Sequence, residues 1–172
     1  MSSSFAGADG NGRPPRVLIG CVGNLLRGDD GFGPAVAARL SPSLPAGAHV
    51  VETGIGGIAL LQEIMTGIDG LIVVDAIDEG EEPGTVLLME PEIGEAVHVP
   101  DVHLANPERV LNVAKGIGAL PDRVRIVGCQ VEDADKVGEG LTPAVERAVP
   151  VAAAKVEELA RAWLEEVAGA AV

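Results

Sequence analysis

The stretch Gly70-Leu-Ile-Val-Val-Asp75 decides the fold, because it is an unbroken apolar run that ends in a carboxylate. An apolar run without alternation predicts a strand covered on both faces, which is typical of a parallel sheet between two helix layers. Residues 16–22 and 123–128 repeat this pattern. The shorter β-branched stretches 49–52 and 85–89 bring the number of predicted strands to about five.

Longer segments with helical spacing of apolar residues separate these strands. They cover residues 32–40, 58–65 and 107–116, and a long final helix begins after Thr142. Thr142 is predicted as the N-cap of that helix, with Pro143 at its first position. Strands that alternate with helices predict an α/β fold, a three-layer α/β/α sandwich around a mostly parallel sheet of about five strands.

The chain has 172 residues, of which 47% are hydrophobic, and this is enough for one domain with a packed core. We expect a flexible N-terminal tail at residues 1–15, a single α/β domain at 16–167 and a C-terminal tail at 168–172. The first fifteen residues have no basic leader followed by an apolar stretch. The most apolar window, residues 71–74, is too short to cross a bilayer.

The charge and the cysteines exclude several classes of partner and site. Asp and Glu number 26 against 12 Lys and Arg, which gives a formal net charge of -14. This balance argues against nucleic acid or an anionic membrane as a partner. The two cysteines, Cys21 and Cys129, have no CxxC spacing, so we expect no disulfide framework and no zinc knot. A reducing cytoplasmic location fits this composition.

The residues that follow each predicted strand are the candidates for chemistry, because ligands of open α/β sheets bind at the carboxyl ends of the strands. The glycine-rich segment 20–33 follows the first strand. It lacks the spacing of a dinucleotide fingerprint and the lysine of a P-loop. Asp29 and Asp30 would also repel a phosphate. On local grounds, either acid taken singly is better explained as part of a turn and a helix cap than as a functional residue.

A second acid and an imidazole follow later in the chain. Asp75 ends a buried strand, so it is either a functional carboxylate that needs a partner or an N–H-bonded turn former. His103, taken alone, is most often a surface or packing residue. Together with one acid of the Asp29–Asp30 pair, these residues form a set of two oxygen ligands and one nitrogen ligand with open positions. Such a set suits Mn, Fe, Ni or Zn better than Ca or Mg.

Several of these motifs have counterparts in one known family. The segment Gly20-Cys-Val-Gly-Asn-Leu-Leu-Arg-Gly-Asp-Asp-Gly-Phe-Gly33 resembles the opening motif of the [NiFe]-hydrogenase maturation proteases. Residues 71–77 are similar to their second motif, and residues 138–145 are similar to their late Gly-Leu-Thr/Ser-Pro-x-Val segment. His103 stands where their metal-binding histidine is expected. The resemblance covers residues 16 to about 164.

The resemblance implies an activity and a set of site residues. Members of that family remove a C-terminal extension from the hydrogenase large-subunit precursor after nickel insertion. The family's metal ligands map to Asp30, Asp75 and His103, and Asp29 is a reserve ligand. The nickel would be carried by the precursor and would not be a permanent cofactor. The family often has Asp-Gly-Gly-Thr after the second strand, where this chain has Glu52-Thr-Gly-Ile55.

The leading hypothesis is therefore an endopeptidase in which Asp30, Asp75 and His103 are both catalytic residues and metal ligands. The ion would polarise the scissile carbonyl or lower the pKa of a bound water, and Asp30 or Asp75 would accept a proton. A plain aspartic mechanism stays open. Two other functions also stay open: a non-catalytic checkpoint that binds the nickel-loaded precursor, and an unrelated α/β hydrolase or nucleotide-binding domain, such as a peptidyl-tRNA hydrolase-like enzyme. The sequence does not give the oligomeric state.

Overall fold

The computed structural model describes residues 13–40, 42, 44–55, 57–94, 107–133 and 137–170. Within these residues the strands form one five-stranded sheet in the order β2-β1-β3-β5-β4. The strands are β1 (Val17–Val22), β2 (Ala48–Gly54), β3 (Gly70–Ile77), β4 (Val86–Met89) and β5 (Arg123–Gln130). Neighbouring strands are parallel except for β4, which pairs antiparallel with β5. The predicted α/β fold with a mostly parallel sheet is thus confirmed.

Helices cover both faces of the sheet. They are α1 (Phe32–Leu40), α2 (Gly57–Ile64), α3 (Pro107–Gly116) and α4 (Pro143–Gly169), and a single 3-10 turn, Gly28–Gly31, precedes α1. Successive residues of β3 point to opposite faces. Ile72 and Val74 therefore pack in the core beneath α1 and α4, whereas Leu71 and Val73 pack in the core beneath α2 and α3. This two-sided burial explains why the sequence of β3 is continuously apolar.

The parallel register places the ends of β1, β3 and β5 at one edge of the sheet. Cys21 pairs with Val74 in β3, and Asp75 pairs with Gly128 in β5. β3 continues to Ile77 and β5 to Gln130, so both strands run further than predicted and Asp75 lies inside its strand. The domain boundaries at residues 16 and 167 stay predictions. No helix in the described part of the chain is long and apolar enough to span a membrane.

Candidate active site

The glycine-rich loop after β1 folds back onto the end of that strand. A Cβ atom on Gly33 would lie 2.0 Å from the carbonyl oxygen of Val22, so only glycine lets α1 begin this close to β1. Gly23 has a φ of +144°, and a Cβ atom there would lie 2.0 Å from the carbonyl oxygen of Asp30. These two close approaches fix the 3-10 turn, and the acids it carries, against the carboxyl edge of the sheet.

Asp30 is held in this loop by Asn24. The backbone N–H of Asn24 donates both to the carbonyl oxygen of Asp30, at 3.1 Å, and to Oδ2 of its carboxylate, at 3.1 Å. The side chain of Asp30 is half-buried. A carboxylate has acceptor sites for several hydrogen bonds or ligands, so the bond from Asn24 leaves capacity for a ligand.

Asp30 and Asp75 line the same cavity, which has a volume of about 310 Å³. The cavity lies at the carboxyl-terminal parts of β1 and β3 and is lined by Val22, Gly23, Asn24, Arg27, Asp30, Ile55, Asp75 and Ala76. The structure therefore brings together the two acids that the sequence singled out, one from the glycine-rich loop and one from β3. Their roles as metal ligands or catalytic residues stay predictions.

Burial gives Asp75 an unusual proton affinity. The pKa of Asp75 is raised to about 7, chiefly by loss of solvent and also by the negative charge of Asp30, while a hydrogen bond from the backbone N–H of Ala76 acts in the opposite direction. A carboxyl with a pKa near neutrality can accept or release a proton under physiological conditions. A cation bound to the carboxylate would displace that proton to solvent, because the positive charge of the cation removes the cost of burying the carboxylate.

Asp29, the predicted reserve ligand, has a different environment from Asp30. Its side chain is 1% exposed. Oδ1 accepts the backbone N–H of Thr142 at 2.7 Å, and Oδ2 accepts the Thr142 hydroxyl at 3.1 Å and the backbone N–H of Glu132 at 3.0 Å. These bonds use the carboxylate inside the protein, and Asp29 does not line the cavity. The structure thus gives different environments to two neighbouring acids that local sequence patterns did not distinguish and of which the family resemblance favoured Asp30.

The late motif at residues 138–145 packs against the first motif. The backbone N–H of Gly28 donates to the carbonyl oxygen of Gly138 at 2.7 Å, and the N–H of Gly138 donates to Leu26 at 3.1 Å. Thr142 is the N-cap residue of α4 and Pro143 follows it, as predicted, but the Thr142 side chain makes no capping hydrogen bond within the helix. Its hydroxyl bonds to Asp29 instead.

Sequence analysis overlooked one buried polar residue near the site, Gln130. It is 4% exposed and ends β5. Its Oε1 accepts the backbone N–H groups of Glu79 at 2.8 Å and Glu81 at 3.3 Å, and its Nε2 donates to Oδ1 of Asp78 at 3.0 Å. The side chain therefore fixes the loop that follows β3. The signal that identified Asp75, a polar residue closing an apolar strand, could also have identified Gln130.

The loop fixed by Gln130 borders a second cavity of about 230 Å³. This cavity is lined by Asp30, Ala76, Ile77, Asp78 and Val131. Asp30 and Ala76 line both cavities. Asp30 thus borders two cavities at the same edge of the sheet.

The other residues named by the sequence lie elsewhere. His103 falls outside the described residues, so its predicted place beside Asp75 stays a prediction. Within the described residues, no group of three or more His, Cys, Asp or Glu side chains could hold a metal ion. Glu52 is exposed on β2 and does not line the large cavity.

The two cysteines belong to the core, as their strand positions indicate. Cys21 and Cys129 are both buried and both have free thiols. Burial raises the pKa of each thiol to about 12, and Glu52 and Asp29 respectively add a smaller effect in the same direction. Because the thiolate is the nucleophilic form, neither cysteine is suited to act as a nucleophile.

Comparison with known proteins identifies the family. The sequence model of HycI, hydrogenase maturation protease, matches residues 35–159. The hydrogenase expression/formation protein HupD of Rhodobacter capsulatus is 32% identical over 160 residues, which cover 90% of this chain and 76% of the relative.

Two solved structures have the same fold. The hydrogenase maturating endopeptidase HybD from E. coli superposes with a TM-score of 0.71 at 28% identity, covering 85% of this chain and 92% of that one. The [NiFe] hydrogenase maturation protease HycI from Thermococcus kodakarensis superposes with a TM-score of 0.67 at 26% identity and the same coverages. These similarities favour the protease over the checkpoint and over an unrelated hydrolase or nucleotide-binding domain. The chain belongs to the hydrogenase maturation protease family and is an endopeptidase.

Proposed function

We propose that this endopeptidase removes a C-terminal extension from the large-subunit precursor of a [NiFe]-hydrogenase after nickel has been inserted, with Asp30, Asp75 and His103 as the residues that act on the substrate. The observation that carries the proposal is that Asp30 and Asp75 line one cavity at the carboxyl edge of the sheet. Membership of the hydrogenase maturation protease family supports the choice of substrate.

The donor atoms fit a nickel ion carried by the precursor. Two carboxylates and one imidazole suit a first-row transition metal and leave coordination positions open for ligands from the substrate. An ion of this kind acts as a Lewis acid towards a carbonyl oxygen or a water. In this scheme the precursor is recognised through its own metal, and an unloaded precursor has no ion to hold its tail against the two acids.

Asp75 is proposed as the proton acceptor at the scissile bond. Its pKa of about 7 makes it a stronger base than an exposed aspartate, because the proton compensates for burial beside Asp30. Exposed apolar side chains lie in or next to the loops that border the cavity, namely Leu25, Leu26 and Ile55. We infer that this apolar border contacts the peptide of the precursor.

Mass spectrometry of the nickel-loaded precursor, before and after incubation with the protein, tests the function. We expect loss of a short C-terminal peptide with the wild type. Asp30→Asn and Asp75→Asn should each reduce the cleavage rate by about 100-fold or more, because an amide is a poorer metal ligand and cannot act as a base.

Asp122→Asn is the matched control for these variants, because Asp122 is exposed and precedes β5 at the opposite edge of the sheet. This variant should cleave at the wild-type rate. An unchanged precursor mass after incubation with the wild type would contradict the proposed function, and full activity of Asp75→Asn would contradict the assignment of the base.

A further inference from the structure

We propose that Asp29 is a positioning residue of this protease, which holds the adjacent Asp30 at the cavity through hydrogen bonds to Thr142 and Glu132. The role of Asp30 in this inference rests on the proposed function. The hydrogen bonds of Asp29 join three segments of the chain: the glycine-rich turn, the second residue after β5 and the N-terminus of α4.

The first step of the argument is the burial of the Asp29 charge. A carboxylate that is 1% exposed is strongly unfavourable unless hydrogen bonds replace its water. Here three donors do so, and all three come from residues 103 or 113 positions further along the chain. Bonds of a charged carboxylate to N–H and O–H donors are stronger than neutral ones. Asp29 is therefore held firmly in place within the loop.

The second step is that the anchored Asp29 restricts its neighbour Asp30. Asp29 and Asp30 are consecutive residues of a 3-10 turn that is only four residues long, Gly28–Gly31. So short a turn has few hydrogen bonds of its own; within it, the N–H of Asp30 donates to the carbonyl oxygen of Arg27, at the residue before the turn, at 3.1 Å. An anchor on Asp29 therefore restricts the backbone of Asp30 directly.

The third step is that the chain segments of Thr142 and Glu132 make further contacts near Asp30. Gly138, on the segment that leads to Thr142, bonds to Gly28 and Leu26. Val131, immediately before Glu132, lines the smaller cavity together with Asp30. Movement of either segment would thus reach Asp30 through Asp29 and through these contacts. Because catalysis depends on placement to within a fraction of an ångström, this anchoring should control the rate.

Thr142 variants test the inference with little change in shape. Thr142→Val removes the hydroxyl donor to Asp29, and Thr142→Ser retains it. The amide N–H of Asn24 reports the placement of Asp30, because it donates to the Asp30 carbonyl oxygen and carboxylate. Hydrogen exchange of that amide is therefore measured by NMR, alongside kcat and KM for the nickel-loaded precursor.

We expect Thr142→Val to speed exchange at Asn24 about tenfold and to lower kcat by about 10–100-fold, with a smaller change in KM. Thr142→Ser should behave like the wild type. Val156→Ala, which removes methyl groups from the core under α4, is the control for a general loss of stability. It should leave both the exchange at Asn24 and kcat close to wild type under native conditions.

Unchanged exchange at Asn24 in Thr142→Val would overturn the inference, as would an equal loss of kcat in Val156→Ala. The exchange measurement needs no substrate. If exchange responds as expected but the wild type leaves the precursor uncut, the proposed function fails while the anchoring of Asp30 by Asp29 stands.

Discussion

Asp30 and Asp75 line one cavity, and the negative charge of Asp30 adds to the effect of burial in raising the pKa of Asp75 to about 7. The negative charge of Asp30 makes ionisation of Asp75 less favourable, because like charges repel. A proton on Asp75 relieves this repulsion, and a bound cation would do the same. The geometry therefore favours proton uptake by Asp75 and fits the metal site proposed above.

The pKa of Asp75 predicts how stability depends on pH. Because this pKa is raised from 3.8 to about 7, the folded protein holds the proton more tightly than the unfolded chain does. The resulting stabilisation is fully present below about pH 4 and is lost as the pH rises through 7. Asp75→Asn has no charge to bury, so its free energy of unfolding relative to wild type should increase by on the order of 2–4 kcal/mol between these limits.

Urea denaturation of wild type and Asp75→Asn between pH 4 and pH 8 measures this difference. The comparison cancels the titration of groups that both proteins share. Asp122→Asn, the exposed control, should show no such trend. A constant difference between wild type and Asp75→Asn across this range would show that Asp75 has an ordinary pKa. A more stable Asp75→Asn with lost activity would instead mark a site where stability is given up for function.

Alanine substitutions at Gly23 and Gly138 distinguish the cost of backbone strain from the cost of steric overlap. Their φ angles are +144° and +140°, but a Cβ atom meets the Asp30 carbonyl oxygen at Gly23 and nothing within 4 Å at Gly138. Gly138→Ala should cost about 1–3 kcal/mol of stability from the φ angle alone. Gly23→Ala should cost about 2 kcal/mol more than that, because either Asp30 or the end of β1 must move.

Thermal or urea denaturation measures the loss of stability in each of the two variants, and the cleavage assay measures the effect of each substitution on activity. Gly23→Ala should also lose most of its activity under conditions where it is folded, since the displaced atom belongs to Asp30. Equal costs for the two variants would mean that the loop around Gly23 relaxes freely.

Most of the fold followed from local patterns in the sequence. The apolar runs identified β1, β3 and β5 because parallel strands buried on both faces contain few polar residues. The antiparallel direction of β4 could not be predicted from these local patterns. Val86–Met89 reads as a strand in any orientation, and its antiparallel pairing with β5 depends on a contact with residues 126–129, some 40 positions along the chain.

The site was predictable only in part, for the same physical reason. Asp75 could be recognised because a carboxylate that closes a buried strand needs an explanation. Local sequence patterns did not distinguish Asp29 from Asp30, and what distinguishes them in the structure is the contact of Asp29 with Thr142, 113 residues away. Gln130 was overlooked because its partners, the N–H groups of Glu79 and Glu81, come into reach only when β3 and β5 are paired.

Introducing a negative charge at position 130 should lower the stability of the protein, because the Gln130 side chain is buried and donates to Asp78. Gln130→Glu replaces the Nε2 donor to Asp78 by an oxygen, so that a carboxylate at the buried position 130 faces the carboxylate of the exposed Asp78. We expect a loss of about 2–4 kcal/mol in the free energy of unfolding at pH 7, which shrinks at acidic pH as the new carboxylate is protonated. Denaturation curves at pH 5 and pH 8 measure both effects.

Gln62→Glu is the matched control, because Gln62 is exposed on α2 and the same change there should alter stability by less than about 0.5 kcal/mol. If Gln130→Glu is as stable as this control, the loop after β3 does not depend on the Gln130 side chain.

Processing should require nickel in the precursor rather than in the purified protease. The donor set proposed for this chain, Asp30, Asp75 and His103, has two carboxylates, one imidazole and no thiolate, so alone it should bind nickel weakly. Metal analysis of the purified protein should therefore find far less than one nickel ion per chain.

The precursor would contribute the remaining ligands of the nickel ion, so the protease would bind the precursor only after nickel has been inserted. Nickel-loaded precursor should be cut, and nickel-free precursor should stay intact under the same conditions. Efficient cleavage of nickel-free precursor in the presence of a chelator would refute this scheme and would assign the reaction to a plain aspartic mechanism at Asp30 and Asp75.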